Sequence, residues 1–164
     1  MIILVLGGAA SGKSAVAERL AGELAPPVTY VATWEPDPTD VDMGARVAAH
    51  RARRPAGWST LECTLDLPQV VRALAGTVLI DALGTWVAGP GGERPDVDAL
   101  CAALRSRSGD TVVVSDEVGL GVHPSTEAGR RFRDVLGAVN QQVATVADRV
   151  WMVVAGRVLA LDAP

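Results

Sequence analysis

Lysine is almost missing from this chain of 164 residues: of 15 basic side chains one is lysine and 14 are arginine. Compositional drift explains the skew in general, so the informative point is where the single lysine, Lys13, sits. A lysine is a compact point charge and an arginine a broad fork, and the two are not interchangeable around a phosphate. Cysteine is scarce too. Cys63 and Cys101 stand far apart with no CxxC pattern, which argues against a structural zinc site and a disulfide framework and makes a reducing cytoplasm the simplest setting. Aromatic residues make up 4%, with none in the arginine-rich stretch Arg46 to Arg54, and the net charge is -4. A nucleic-acid partner is therefore not expected. No apolar run approaches the roughly 20 residues that span a bilayer, and the first residues lack the cationic region of a secretory signal. Stable membrane insertion is not expected.

What is present is a chain with 49% hydrophobic residues and a length suited to one domain, residues 1–164, with a proper core. Apolar runs predict buried strands at Met1 to Leu6, Val28 to Ala32, Thr77 to Ile80 and Thr111 to Ser115. A further strand is expected over Trp58 to Cys63, and two closing strands, Val150 to Val154 and Arg157 to Leu161, flank a turn at Ala155-Gly156. Helical spacing is read over Ser14 to Leu24, Asp40 to about Arg54, Leu67 to Leu74, Val97 to Arg107 and Ser125 to Ala147. This alternation predicts an α/β protein: a mostly parallel central sheet with helices on both faces and a terminal antiparallel hairpin, in the P-loop NTPase class.

The class follows from Gly7-Gly8-Ala9-Ala10-Ser11-Gly12-Lys13-Ser14, a full match to G-x-x-x-x-G-K-[ST] between an apolar strand and a helix. The glycines let backbone N–H groups face phosphate oxygens at a helix N-terminus. Lys13 is expected to reach the β- and γ-phosphates of ATP or GTP, and Ser14 to hold Mg²⁺. Asp81 and the pair Asp116-Glu117 close two other apolar strands, and ligands of open α/β sheets bind beyond such ends. Asp81 and Glu117 join Ser14 as candidate metal ligands; Asp116 reads equally as a site acid or a helix cap.

A second segment carries Arg46, His50, Arg51, Arg53 and Arg54. On a helix Arg46, His50, Arg53 and Arg54 share one side. Neighbouring cations favour a neutral imidazole, which is nucleophilic, while the arginines suit a triphosphate. Spacing alone favours the plainer reading, a solvated basic helix with one histidine. The other histidine, His123, reads as a loop residue without a catalytic task.

Together these segments resemble the bifunctional adenosylcobinamide kinase / adenosylcobinamide-phosphate guanylyltransferases of cobalamin biosynthesis. The matching pieces run from the Gly7–Ser14 loop through Tyr30-Val31-Ala32-Thr33, Met43 to His50, Arg53-Arg54-Pro55 with Trp58, Thr60 and Glu62, and Asp81 with Trp86. They continue through Glu117-Val118-Gly119-Leu120-Gly121, Arg131 to Asp134 with Asn140-Gln141, and Ala147-Asp148 with Trp151 to Gly156. The resemblance implies phosphorylation of adenosylcobinamide by ATP or GTP. It then implies transfer of GMP from GTP, through a guanylyl-histidine at His50, to give adenosylcobinamide-GDP. Lys13 and His50 are the implied catalytic residues. Implied nucleotide contacts add Ala32, Thr33, Trp34, Arg51, Ala52, Arg53, Arg54, Glu62 and Asp81 to the loop, with Glu62 suited to the guanine N–H edge. A homo-oligomer, with a trimer among the counts considered, is also implied. Asp116 stands where the family usually has Asn, and His123 replaces a small apolar residue. A P-loop small-molecule kinase without guanylyltransferase activity is the nearest rival; it leaves His50 without a task. A regulatory GTPase would need an Asn-Lys-x-Asp segment, which a chain with one lysine in its P-loop cannot have.

Overall fold

The computed structural model describes residues 1–34, 54–63, 66–89 and 95–163. The helix expected over 40–54 lies almost wholly outside these, with His50, Arg51, Ala52 and Arg53. Seven strands form one sheet: β1 (Ile2–Gly7), β2 (Val28–Ala32), β3 (Ser59–Glu62), β4 (Thr77–Asp81), β5 (Thr111–Asp116), β6 (Arg149–Val154) and β7 (Arg157–Leu161). Their order is β3-β2-β4-β5-β1-β6-β7, parallel throughout except for the antiparallel β6–β7 hairpin. The helices are α1 (Lys13–Glu23), α2 (Leu67–Ala73), α3 (Leu83–Val87), α4 (Val97–Ser106) and α5 (Glu127–Ala144).

Strands buried on both faces read as continuous apolar runs, and here they do. Ile3 and Val5 of β1 face α1 with Tyr30, Leu79, Val112 and Val114, packed on Val16, Ala17 and Ala21. Leu4 and Leu6 point the other way with Val31, Ile80 and Val113, into a core closed by Leu67, Leu83, Leu100, Leu104 and Leu136 of α2, α3, α4 and α5. The expected layers are therefore observed. Among the described residues no helix is long and apolar enough to cross a membrane.

Element ends follow local chemistry. Helix α5 begins at Glu127, two residues later than the spacing suggests, because the Thr126 side chain caps it by accepting from Gly129 N–H. Helix α3 is absent from the sequence reading. Its five residues include Gly84, Thr85 and Val87, which show no helical periodicity.

Arg107 ties two elements together. Its guanidinium donates to the carbonyls of Val71, Leu74 and Gly76, at and beyond the end of α2, and to Thr111 Oγ1 at 3.0 Å. It thus satisfies helix-end carbonyls that would otherwise lack partners. Half-burial pushes its pKa down from the ordinary arginine value. Arg107→Ala is expected to destabilise the fold by about 2–4 kcal/mol, since several charge-assisted bonds vanish and their acceptors remain. Urea unfolding checks this, and Arg107→Lys, lacking the fork, should recover little.

Candidate active site

The carboxyl ends of the parallel strands lie along one edge. Gly7 pairs in register with Asp116, and Ala32 pairs with both Asp81 and Glu62. Between β1 and α1 the chain makes the Gly7–Ser14 loop. Ala10 and Gly12 take left-handed backbone conformations, with φ of 56° and 91°. Gly12 is required twice over: a side chain would strain that φ and would approach Gly156 Cα to 3.3 Å. Gly156 N–H, in the β6–β7 turn, donates to Ser11 O at 2.8 Å, so the terminal hairpin braces the loop. The N-cap residue of α1, Gly12, has no side chain, and the Lys13 N–H donates to Ser11 Oγ at 3.4 Å. A helix N-terminus opening onto a glycine-rich loop is the arrangement that receives a phosphate.

Lys13 Nζ lies 2.7 Å from Asp116 Oδ1 and 3.3 Å from Gly8 O, across that mouth. Asp116 caps no described helix, the next one being capped by Thr126, and its carboxylate faces Lys13 instead. The position needs Gly84, since a Cβ there would come within 2.6 Å of Asp116 Oδ2. Buried Asn140 on α5 holds the end of β5 by donating to Asp116 O at 3.0 Å and accepting from Ser115 Oγ at 2.6 Å. Glu117 donates its N–H to Gly7 O at 3.0 Å, while its carboxylate accepts from Gly119 N–H at 2.7 Å.

Strand β5 separates β1 from β4, yet Ser14 meets Asp81. Helix α1 crosses the sheet over β5 and β4, which brings Ser14 Oγ to 3.4 Å from Asp81 Oδ1. The other oxygen, Oδ2, accepts from the Tyr30 hydroxyl at 2.5 Å. Burial, and then the Asp81 carboxylate, push the Tyr30 phenol far above its ordinary pKa, so it remains the donor. The Arg54 guanidinium lies on the Tyr30 ring, 3.3 Å from its centroid, and donates to Thr60 Oγ1 at 3.1 Å.

The expected nucleotide contacts divide. The loop residues, Lys13, Ser14 and Asp81 converge. Ala32, half-buried Trp34 and exposed Glu62 lie at the same strand edge, Ala32 and Glu62 in register. Thr33 is buried and engaged elsewhere: its hydroxyl donates to Ala82 O, accepts from Ala82 N–H at 3.1 Å and meets Thr85 Oγ1. It knits β2 to the turn after β4. His123 is exposed in the loop after β5. Spacing assigns no role to Tyr30 or Asn140; their long-range contacts with Asp81 and Asp116 do.

The donors suit a hard divalent cation. A hydroxyl and a carboxylate oxygen face each other at Ser14 and Asp81. Among the described residues no group of three or more His, Cys, Asp or Glu side chains could hold a metal alone. Mg²⁺ fits such a sparse set because it takes most of its ligands from phosphates and water.

The profile of a family described as cobinamide kinase / cobinamide phosphate guanyltransferase matches residues 3–161. The bifunctional adenosylcobalamin biosynthesis protein CobP of Pseudomonas aeruginosa is 42% identical over 93% of this chain and 92% of its own length. The bifunctional adenosylcobalamin biosynthesis protein CobU of Salmonella typhimurium is 39% identical over 95% of this chain and 97% of its own. A prototypical ATPase from the type III secretion system of pathogenic bacteria superposes with a TM-score of 0.59 at 12% identity. It covers 92% of this chain and 50% of that one, a likeness of fold alone.

Proposed function

The chain belongs to the cobinamide kinase / cobinamide phosphate guanyltransferase family, and on that premise we propose that it acts twice on one corrinoid. In the first reaction the aminopropanol hydroxyl of adenosylcobinamide takes the γ-phosphate of ATP or GTP. In the second, GTP gives its GMP to the resulting phosphate, and adenosylcobinamide-GDP forms. The observation that carries the reading is the convergence of Lys13, Ser14, Asp81 and Asp116 on one loop mouth, in a chain matched by the family from end to end.

For phosphoryl transfer, Lys13 leaves Asp116 to meet the β- and γ-phosphates, and the loop N–H groups and the α1 N-terminus take the remaining charge. Ser14 and Asp81 would hold Mg²⁺, which would supply charge neutralisation for the transferring group. Glu117 remains a further ligand candidate. For guanylyl transfer, an imidazole nitrogen of His50 attacks the α-phosphorus and pyrophosphate departs. A phosphate oxygen of the corrinoid then displaces the imidazole, breaking the P–N bond and restoring the ring. Arg51, Arg53 and Arg54, with Ala52, would line the triphosphate, and Ala32 and Trp34 the nucleoside, with buried Thr33 holding the backbone between them.

We read residues 1–164 as one catalytic domain acting in the cytoplasm, where its two free cysteines stay reduced. Exposed Val154, Val158, Leu159 and Leu161 on the β6–β7 hairpin support a homo-oligomer, with a trimer among the counts considered.

Incubation with adenosylcobinamide and GTP, followed by mass spectrometry over time, tests the reading. The monophosphate should appear first and the GDP adduct second. Accumulation of the monophosphate alone would leave a kinase. Glu62→Gln should weaken GTP more than ATP, by roughly tenfold, since a carboxylate accepting from guanine becomes an amide. Isothermal titration with both nucleotides checks this, and equal losses would remove Glu62 from base recognition.

A further inference from the structure

Asp81 has two carboxylate oxygens with two different neighbours. Oδ1 faces Ser14, the side on which Mg²⁺ and phosphates are placed above, and Oδ2 is taken by Tyr30. A carboxylate on a strand end rotates about two side-chain bonds, and a hard cation needs one oxygen presented in a fixed direction. Tyr30 supplies that constraint from an unusually firm base. It is 3% exposed, sits mid-strand in β2, and packs in the α1-facing core with Leu79 and Val16. Its ring is also a platform. The Arg54 guanidinium carbon sits over it and the side chain reaches across to Thr60, the register partner of Tyr30 on β3. Among the described residues Arg54 Nε has no hydrogen-bond partner although it is buried. Among the described residues the guanidinium is held by the Tyr30 ring and by its bond to Thr60, with donor capacity at Nε to spare for an anion.

We propose that Tyr30 is a positioning residue with two separable tasks: its hydroxyl orients Asp81 toward Ser14, and its ring seats Arg54 at the triphosphate. The inference rests on the reading of Asp81 as a metal ligand. The two tasks belong to different atoms, so substitution separates them. Tyr30→Phe keeps the ring and removes the hydroxyl. Tyr30→Leu removes both.

Binding of Mn²⁺ with GTP, read by electron paramagnetic resonance, and binding of GTP in chelator, read by calorimetry, divide the outcomes. Tyr30→Phe should weaken Mn²⁺ binding in the presence of GTP roughly tenfold, the worth of one hydrogen bond to a charged group, with the loss confined to the metal-dependent arm. Tyr30→Leu should in addition weaken GTP in chelator, as Arg54→Ala does, and the Tyr30→Leu/Arg54→Ala pair should lose no more than either alone. Asp81→Ala is the control for the metal reading. If it weakens Mn²⁺ and Tyr30→Phe does not, the positioning claim falls and Asp81 keeps its role. If neither weakens Mn²⁺, the metal reading falls first. Equal losses in both arms for Tyr30→Phe would mark a merely structural tyrosine and overturn the proposal. Because Tyr30 is the only tyrosine in the chain, ¹³Cζ-tyrosine labelling gives a single resonance. That resonance should shift when Mg²⁺ and GTP are added together, and a shift absent there would also count against the proposal.

Discussion

Lys13→Ala should slow γ-phosphoryl transfer to the corrinoid by roughly 10²–10³-fold, the loss seen when one pre-placed charge is taken from a site that works mainly by positioning. The chain offers no substitute, because Lys13 is its only lysine and every other cation carries the wider guanidinium. Lys13→Arg should therefore rescue little. The variant should still fold. The partners of the ammonium are Asp116 and the Gly8 carbonyl at the loop mouth, and the end of β5 stays held through Asn140. Thermal unfolding should place the variant near the parent. A further result follows from the Lys13–Asp116 pair. The substitution leaves an uncompensated carboxylate facing incoming phosphates, so nucleotide affinity should fall along with the rate. Asp116→Asn in the Lys13→Ala background should restore part of the affinity and none of the rate. A transfer rate within threefold of the parent would remove the loop lysine from catalysis.

The residues of that prediction differ in how far the sequence exposes them. Lys13 and Ser14 are legible because the loop pattern is local, framed by an apolar strand and an amphipathic helix. Asp81 and Asp116 are legible as strand ends, since runs such as Thr77 to Ile80 and Thr111 to Ser115 are apolar on both faces. Which acid meets which partner is not legible. Asp116 reaches Lys13 because β5 lies beside β1, and Ser14 reaches Asp81 because α1 crosses two strands. Both are facts of sheet order. Tyr30 is hidden for the same reason: its partner is 51 residues away, and alone it reads as a core aromatic on a strand. Helix α3 escapes because five residues with Gly84 and two β-branched side chains show no period.

Arg54, the last residue of the arginine segment, stands at the strand edge that carries the P-loop. Arg54 is anchored over Tyr30, whose hydroxyl is on Asp81, whose other oxygen faces Ser14. That chain of contacts runs from the end of the arginine segment to the P-loop serine. On the proposed reading, a triphosphate seated over Gly7 to Ser14 meets Lys13 with its γ-phosphate and shares this strand edge with Arg54. This supports two reactions at one edge: attack on the outer phosphorus by a hydroxyl, and attack on the inner one by an imidazole.

His50→Ala should abolish the second reaction and spare much of the first. Incubated with GTP labelled at the α-phosphate, the parent protein should retain label that acid removes and alkali does not, the behaviour of a phosphoramidate. The variant should retain none, because no other residue is proposed to take the nucleotidyl group; His123 is exposed in the loop after β5. Three residues separate His50 from the anchored Arg54, four Cα-to-Cα steps and a covalent reach of at most about 14 Å. That leaves the imidazole able to approach a triphosphate held at this edge, in the same subunit or an adjoining one. The two active-site variants should then be complementary. Lys13→Ala loses outer-phosphate transfer, while His50→Ala still makes the corrinoid monophosphate and stalls there. Supplying the monophosphate directly should not rescue His50→Ala, since the missing step lies after it. Label persisting on His50→Ala would assign the nucleophile elsewhere. Full GDP-adduct formation by that variant would replace the two-step transfer with direct attack of the corrinoid phosphate on GTP.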